Sequence, residues 1–446
     1  MKYPIETIKQ WLAECNANKP LEPDDPRYVN LEAFQVEGQT HNLRNTKGVR
    51  AVAHCIRLAV EPTCQLFSGY TGTGKTTELK RLKMHMEEQG YTVLWADASN
   101  YHDLAHPLEI EDLIILIAAA LGEACSELLG KGLMKDNYWD RLMSFMKNEL
   151  SFDSATIKGP LSVKASIRNG NAPVWLELRR FLGSSLDHLK EDAHSFIEKC
   201  LNLVREQHQG QIVFILDSLE KLNGSEEQFR QIMESVKTVF RQHRDFLRLP
   251  GCHTVYTVPP YLGLAGADLS LFYDRKPQIL PAIKVSDRYS QELVPYEEGV
   301  KALTELLRRR IPLEKVFGDR QDLLEKIIMY SGGHVRTLIS FIRELLMENA
   351  MEDFPPTQNL VNNIIRGFGE EAVKPIRPEG VPLLNLIHKT NSLEDIPADK
   401  LHLLAQYVDY HLVLCYRNGE GWYEIHPLIR DNILRRSQAA DQGSHD

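Results

Sequence analysis

Eight residues, Gly69-Tyr70-Thr71-Gly72-Thr73-Gly74-Lys75-Thr76, set three glycines, a lysine and a threonine at the spacing that grips a chain of phosphates. The glycines let successive backbone N–H groups turn inward on an anion, and the stretch that follows, TTELKRLKMHME, predicts a helix whose positive end adds to the grip. Lys75 is suited to neutralise the β- and γ-phosphates, Thr76 to place its hydroxyl on Mg²⁺, and Thr77 to close the nucleotide contacts. A merely flexible glycine loop would have no need of the apolar run CQLFS (64–68) before it and the helix after it. ATP or ADP with Mg²⁺ is therefore the expected ligand.

Magnesium needs a second anchor, expected as a carboxylate ending an apolar strand beside the first; IVFILD (212–217) ends in Asp217. Where many ATPases follow this aspartate with a glutamate that orients the attacking water, the chain has Ser218. Glu220 either takes that role or is a solvated acid at a helix start, and in the second case hydrolysis is slow. Thr257, near the end of HTVYTV (253–258), is placed to sense the γ-phosphate or the water. Arg275, in YDRKP, is either an arginine finger reaching a neighbour's phosphate or a plain surface arginine.

These groups need a scaffold. From 45 to 290 short apolar runs alternate with longer helical patterns: CQLFS, TVLWADA (92–98), IVFILD, HTVYTV and ILPAIKV (279–285). That alternation predicts an α/β P-loop domain, a five-stranded parallel sheet with helices on both faces. A long stretch between the second and third runs, about 125–200, reads as an insertion, helical with a small hairpin, positioned to meet a partner or a neighbouring subunit. Residues 1–44 read as an N-terminal arm, 291–372 as a helical lid and 373–436 as a winged helix whose hairpin turns at Asn418-Gly419, while 437–446 lack apolar residues and read as a disordered tail.

Composition narrows the classes. With 446 residues, 43% hydrophobic and 25% charged, the chain has the make-up of a folded globular protein of several domains. No apolar run spans a bilayer and the start lacks a secretory core, so a cytoplasmic location is expected. Seven scattered cysteines, none in a CxxC pair, point to reduced thiols and away from disulfides or zinc. A net charge of −9 opposes a main role in wrapping nucleic acid.

The order of phosphate loop, apolar-strand aspartate, polar strand end, helical lid and winged helix resembles two related groups over nearly all of 45–436. These are the signal-transducing STAND ATPases and the AAA+ ATPases of the origin-initiator type. DSLEK (217–221) is similar to the DGLDE-type motif of STAND proteins, with Asp217 and Glu220 on its acidic positions. SGGHVRTLI (331–339) sits where initiator-type lids carry an arginine that touches the γ-phosphate, which would make Arg336 a sensor. STAND proteins usually carry a proline-containing motif there, which this chain lacks. EIHPLIRD (424–431) resembles the STAND histidine motif that reaches the β-phosphate of ADP and locks the closed state, which implies that role for His426. Taken without the resemblance, His426 is a cap or core histidine.

What the resemblance implies is a nucleotide-held switch of STAND/AAA+ type: compact with ADP, and with ATP able to self-associate and engage a separately encoded effector, as in bacterial antiphage defence or stress response. The rival is a DNA-remodelling or loader ATPase gripping duplex through the winged helix, but residues 376–436 hold seven basic against eight acidic side chains. A metabolic kinase would leave the lid and winged helix without a job.

Overall fold

The computed structural model describes residues 1–101, 107–130, 137–148, 179–180, 182–222, 226–265, 269–288, 293–418 and 420–443. The hairpin expected inside the insertion lies outside the described residues, as does Gly419. In chain order the elements used below are α1 (Ile5–Glu14), β1 (Phe34–Val36), β2 (Gln39–His41), α2 (Gly48–Leu58), β3 (Cys64–Gly69), α3 (Lys75–Glu88), β4 (Thr92–Asp97), α4 (Ile110–Leu129), α5 (Tyr138–Asn148), α6 (Leu186–Gln207), β5 (Ile212–Asp217), α7 (Glu226–Gln242), β6 (Cys252–Val258) and β7 (Gln278–Leu280). They continue with α8 (Glu297–Arg308), α9 (Gln321–Tyr330), α10 (Val335–Asn349), α11 (Gln358–Val373), α12 (Val381–Thr390), α13 (Leu401–Asp409), β8 (Val413–Asn418), β9 (Glu420–Ile425) and α14 (Pro427–Gly443). The chain divides into two compact units: Gly48–Ser68 with Glu78–Ile279, and Met1–Lys47 with Gly69–Thr77 and Leu280–Asp446.

The first unit is built on a five-stranded sheet in the order β4-β5-β6-β3-β7. Its β4-β5, β5-β6 and β6-β3 pairs are parallel, which requires a crossover between successive strands and brings helices onto the faces. Strands covered on both sides are buried throughout, as every residue of β3, β5 and β6 is, the polar Gln65, Ser68, His253, Thr254 and Thr257 included. One expectation is corrected: β5, which carries Asp217, is not beside β3, because β6 lies between them. A second is trimmed: the fifth strand stops at Leu280. Pro281 has no N–H for the ladder, and Ala282 and Ile283 instead donate to the carbonyls of Cys415 and Gly333. Helix α4 opens with a capping box between Glu109 and Asp112, and Leu113–Leu121 are buried where it packs against α6 and β4.

The second unit has one large apolar core. Ile8 and Trp11 of α1, with Val29, Leu31 and Leu43 of the arm, join Leu303, Leu307, Ile327, Leu338, Phe341, Ile342 and Val361 of α8 to α11. The N-terminal segment is thus packed along its length and does not project freely. Its amphipathic start supplies the reason, and Arg343 clamps it by donating to the carbonyls of Leu12 and Cys15. Downstream, α12, α13, the antiparallel β8-β9 hairpin and α14 form a helix–helix–hairpin–helix module. Helix α14 runs on to Gly443, past the point where the sequence suggested a disordered tail; alanine and glutamine in SQAADQ favour continuing the helix.

The module meets the helical core at Gly332-Gly333. Tyr416 of β8 donates its hydroxyl to the Gly332 carbonyl at 2.7 Å. Gly333 has φ +69°, and a Cβ there would lie 1.7 Å from the Ile283 carbonyl oxygen, so no other residue fits.

Candidate nucleotide-binding site

The loop 69–76 leaves β3 and turns into α3, which begins at Lys75. All the carbonyls from Gly69 to Thr73 are hydrogen-bonded. Lys75 Nζ donates to Gly69 and Tyr70 at 2.7 and 2.8 Å. His334 Nε2 lies 2.8 Å from the Thr71 carbonyl, the backbone N–H of Arg336 donates to Gly72 at 3.2 Å, and Arg44 Nη2 donates to Thr73 at 2.7 Å. A loop whose carbonyls are all tied on one side is held in the shape that lets its amides converge on the other, which is what an anion nest requires.

Glycine at 72 is fixed twice over, by a φ of +94° and by a missing Cβ that would sit 2.6 Å from Arg336 Cβ. A glycine loop whose carbonyls are bonded away, followed by a helix N-terminus with lysine and threonine, fits a Mg²⁺-polyphosphate. Among the described residues no group of three or more His, Cys, Asp or Glu side chains could hold a metal ion alone.

Burial and tautomers around the loop follow from these bonds. His334 is 2% exposed; since a carbonyl can only accept, Nε2 carries the proton and Nδ1 accepts from the Thr337 hydroxyl at 2.8 Å. Burial, with Arg336 and Lys75 nearby, pushes its imidazole down to about 4, so it is neutral. Arg336 is half-buried at the start of α10, and its Nε has no hydrogen-bond partner among the described residues. Arg44 is 3% exposed and also reaches the Pro281 carbonyl at 3.3 Å. Thr77 Oγ1 accepts the Leu21 amide at 3.1 Å, so the arm meets the loop at Thr73 and again just past its end.

The C-terminal module reaches the same loop through His411. Its ring stacks on His334, with centroids 4.7 Å apart, and meets Tyr70 edge-on at 5.9 Å. Burial lowers its basicity well below the usual histidine range. Asp409, two residues earlier, is raised to about 7 by burial, with Lys75 opposing the rise. His426 is buried, and its Nδ1 accepts the Leu428 amide at 3.2 Å at the start of α14. Burial and His334 push it down to about 3. Arg44, His334, Asp409 and His411 were missed by sequence reasoning. His334 stands inside SGGHVRTLI, two residues before the arginine singled out there, and the other three belong to no compact motif.

Asp217, Glu220 and Thr257 are together in the first unit, at the carboxyl edge of its sheet. Asp217 is fully buried and its carboxylate accepts the amide of Ser218, which adopts the left-handed conformation at φ +73°. Thr257 Oγ1 accepts the Leu219 amide at 3.0 Å, so the strand-end threonine fixes the turn carrying Glu220. Glu220 is itself buried, at 3% exposure, and is no solvated acid. In register, Thr257 pairs with Phe67 of β3, one residue before Ser68. Arg275 is half-buried, and its Nη1 donates to the Ala51 carbonyl at 3.0 Å within its own unit.

Fold and loop together define a P-loop α/β fold. No protein-family model matches the chain, and neither does any curated protein. Solved structures that align with it include a Walker-type ATPase of Pyrococcus abyssi at 14% identity, covering 95% of this chain and 99% of that one with a TM-score of 0.41. The ORC1 protein of Aeropyrum pernix in complex with DNA aligns at 12% identity over 87% and 92%, TM-score 0.36. The ORC2 protein of the same organism, with ADPNP and ADP, aligns at 14% over 94% and 100%, TM-score 0.39. Among the described residues no helix is long and apolar enough to cross a membrane.

Proposed function

We propose that the chain is a Mg²⁺-dependent ATPase in which nucleotide at loop 69–76 controls the docking of the C-terminal module, read as a winged helix. The reading is supported above all by the ties on the loop carbonyls, which come from the arm through Arg44 and from the helical lid through His334 and Arg336, with His411 of the module stacked on top. A ligand that alters the loop alters contacts of all three. Differential affinity of that kind is what any two-state switch needs.

In this reading the amides of Gly69–Thr76 and Lys75 bind the phosphates, and Arg336, a cation with an unspent Nε, faces the γ-phosphate end. Thr76 and Asp217 would hold Mg²⁺, which when bound neutralises charge on the phosphates. Glu220, fixed through the Thr257–Leu219 bond, orients the attacking water. His426 stays neutral and sets the module against the Ser331–Gly333 turn, and the ADP form is closed. Opening with ATP then allows self-association and engagement of a separately encoded protein effector, a role suited to bacterial defence.

The DNA-loader reading is weakened by α13, the helix that would enter a groove: Leu403–Val408 are buried, and His411, two residues past its end, meets Tyr70 of the phosphate loop. Calorimetry on folded wild type and Lys75→Ala tests the proposal. Uptake of ATP and ADP by the wild type and loss of uptake in the variant are expected. Cooperative unfolding without nucleotide uptake by the wild type would end the proposal, and a salt-dependent duplex shift would favour the DNA reading.

A further inference from the structure

Building on the nucleotide reading, we infer that Tyr70 and His411 form the joint through which the C-terminal module and the phosphate loop sense each other. Tyr70 is a positioning residue, with its ring held by the module and its backbone in the phosphate site. It is the second residue of the loop, yet it is only 1% exposed. Its ring meets the His411 imidazole edge-on, with centroids 5.9 Å apart. The same imidazole stacks on His334 at 4.7 Å, and His334 Nε2 donates to the carbonyl of Thr71 at 2.8 Å. Two consecutive loop residues therefore converge on one ring of the module, Tyr70 through its side chain and Thr71 through its carbonyl.

The module presents that ring from a strained turn. His411 lies between α13 and β8 with φ +60°, a left-handed conformation that is costly for a residue with a Cβ. The turn is held by its neighbours: the His411 amide donates to Val408 at 3.2 Å, the Leu412 amide to Tyr407 at 2.8 Å, and the Leu412 carbonyl accepts the His426 amide at 2.8 Å. The backbone of the module thus sets where the imidazole stands, and strain kept in place by surrounding bonds is a mark of a switch or clamp.

The coupling itself lies at the Tyr70 carbonyl. It accepts from Lys75 Nζ at 2.8 Å and from the Thr73 amide and hydroxyl at 3.3 and 2.8 Å. Lys75 Nζ also donates to the Gly69 carbonyl at 2.7 Å. The β- and γ-phosphates compete for that same ammonium, and as it turns to them the Tyr70 peptide keeps only its Thr73 donors. A shift of this peptide moves the ring that His411 holds, and a displaced His411 moves the peptide in return. By linkage the two effects are equal: nucleotide favours one placing of the module, and that placing favours the nucleotide to the same degree.

The test uses the full chain as wild type, Tyr70→Leu, Tyr70→Phe and His411→Asn. Asparagine tolerates the left-handed backbone and removes the ring, so the turn is kept. MgADP affinity is measured by calorimetry. Amide hydrogen exchange is followed in β8 and, for reference, in α8 of the helical core, with and without saturating MgADP. In wild type MgADP should slow exchange in β8 by about fivefold or more beyond any slowing in α8, the low end of ordinary coupling between sites. In Tyr70→Leu and His411→Asn that excess should fall to within about twofold of none, with MgADP bound roughly tenfold more weakly. Tyr70→Phe keeps the ring and should restore both. Joining Tyr70→Leu to His411→Asn should weaken binding no further than the poorer single change does. Excess slowing that persists in both single variants, however destabilised they are, reduces the contact to packing and overturns the inference. Wild type that binds MgADP without excess slowing in β8 overturns it too, and both results leave nucleotide binding intact. If Tyr70→Leu does not fold, His411→Asn decides alone. Wild type that unfolds cooperatively yet takes up no nucleotide overturns the nucleotide reading and this inference with it.

Discussion

Arg44 in the N-terminal arm donates to the carbonyl of Thr73 in the phosphate loop at 2.7 Å, from a site 3% exposed. An arm residue is therefore part of the loop's support. Replacing it by methionine keeps much of the volume and strands the Thr73 and Pro281 carbonyls without their donor. A buried acceptor left unsatisfied costs about 1–3 kcal/mol. The expected outcome for Arg44→Met is a lower unfolding midpoint and a loss of nucleotide affinity of at least about tenfold, with partial recovery in Arg44→Lys. Unchanged calorimetric affinity in a destabilised Arg44→Met protein would confine Arg44 to a purely structural role.

Gly72 and Arg336 form a second test, of the loop against the helical subdomain. Alanine at 72 meets both a positive φ and a Cβ contact of 2.6 Å with Arg336, and either alone costs about 1 kcal/mol or more. Gly72→Ala should weaken nucleotide binding and stability together. Pairing it with Arg336→Gly removes the steric part and leaves the backbone part, so the double variant should be less destabilised than the two single changes added. Strict additivity in denaturant titrations would mean that the two residues do not meet in solution.

Acid provides a third measurement. His334 and His426 have folded-state values depressed to about 4 and about 3, and His411 is lowered as well. Between those values and the ordinary histidine value of about 6.5 the unfolded chain binds protons that the folded chain does not. Stability from neutral imidazoles is complete above about pH 6.5 and is lost as pH falls; at pH 5 each of His334 and His426 accounts for about 2 kcal/mol. Asp409 works in the opposite sense, because its folded value of about 7 lies above its unfolded one: the folded chain binds the extra proton, and stability rises as pH falls from 7 toward 4. Denaturant curves at pH 7.5, 6 and 5 should show a net acid loss, and Asp409→Asn should deepen it. A variant whose acid loss is shallower than that of wild type would show that the carboxyl is not the raised group.

How much of this was legible in the sequence follows from range. IVFILD and GYTGTGKT are local patterns, and β5 and the phosphate loop fall where those residues put them. The strand order was not local: nothing in IVFILD tells that β6 separates it from β3, since order depends on crossovers and not on any one strand's residues. The fifth strand was read too long because ILPAIKV is apolar past Pro281, and apolarity there serves contacts with Gly333 and Cys415 instead of a sheet ladder. The motif residues Lys75 and Arg336 could be picked out of local sequence patterns. Arg44, Asp409 and His411 are single residues whose meaning appears only when distant segments meet.

The junction at Gly332 tests coupling of the module to the loop. Tyr416 is 3% exposed, stacks on Trp422 with centroids 4.6 Å apart, and spends its hydroxyl on the Gly332 carbonyl at 2.7 Å. Gly332 lies two residues before His334, so this bond joins the hairpin to the turn that presents His334 and Arg336 to the loop. Tyr416→Phe keeps the stack and deletes the bond, at a cost of about 1–3 kcal/mol for the orphaned carbonyl. If docking of the module is what nucleotide controls, the variant should open more readily: light scattering with ATP should show more self-association than wild type, and ADP should dissociate faster. Equal mass distributions and equal ADP off-rates, in a protein shown to be destabilised by the change, would separate the hairpin contact from nucleotide control.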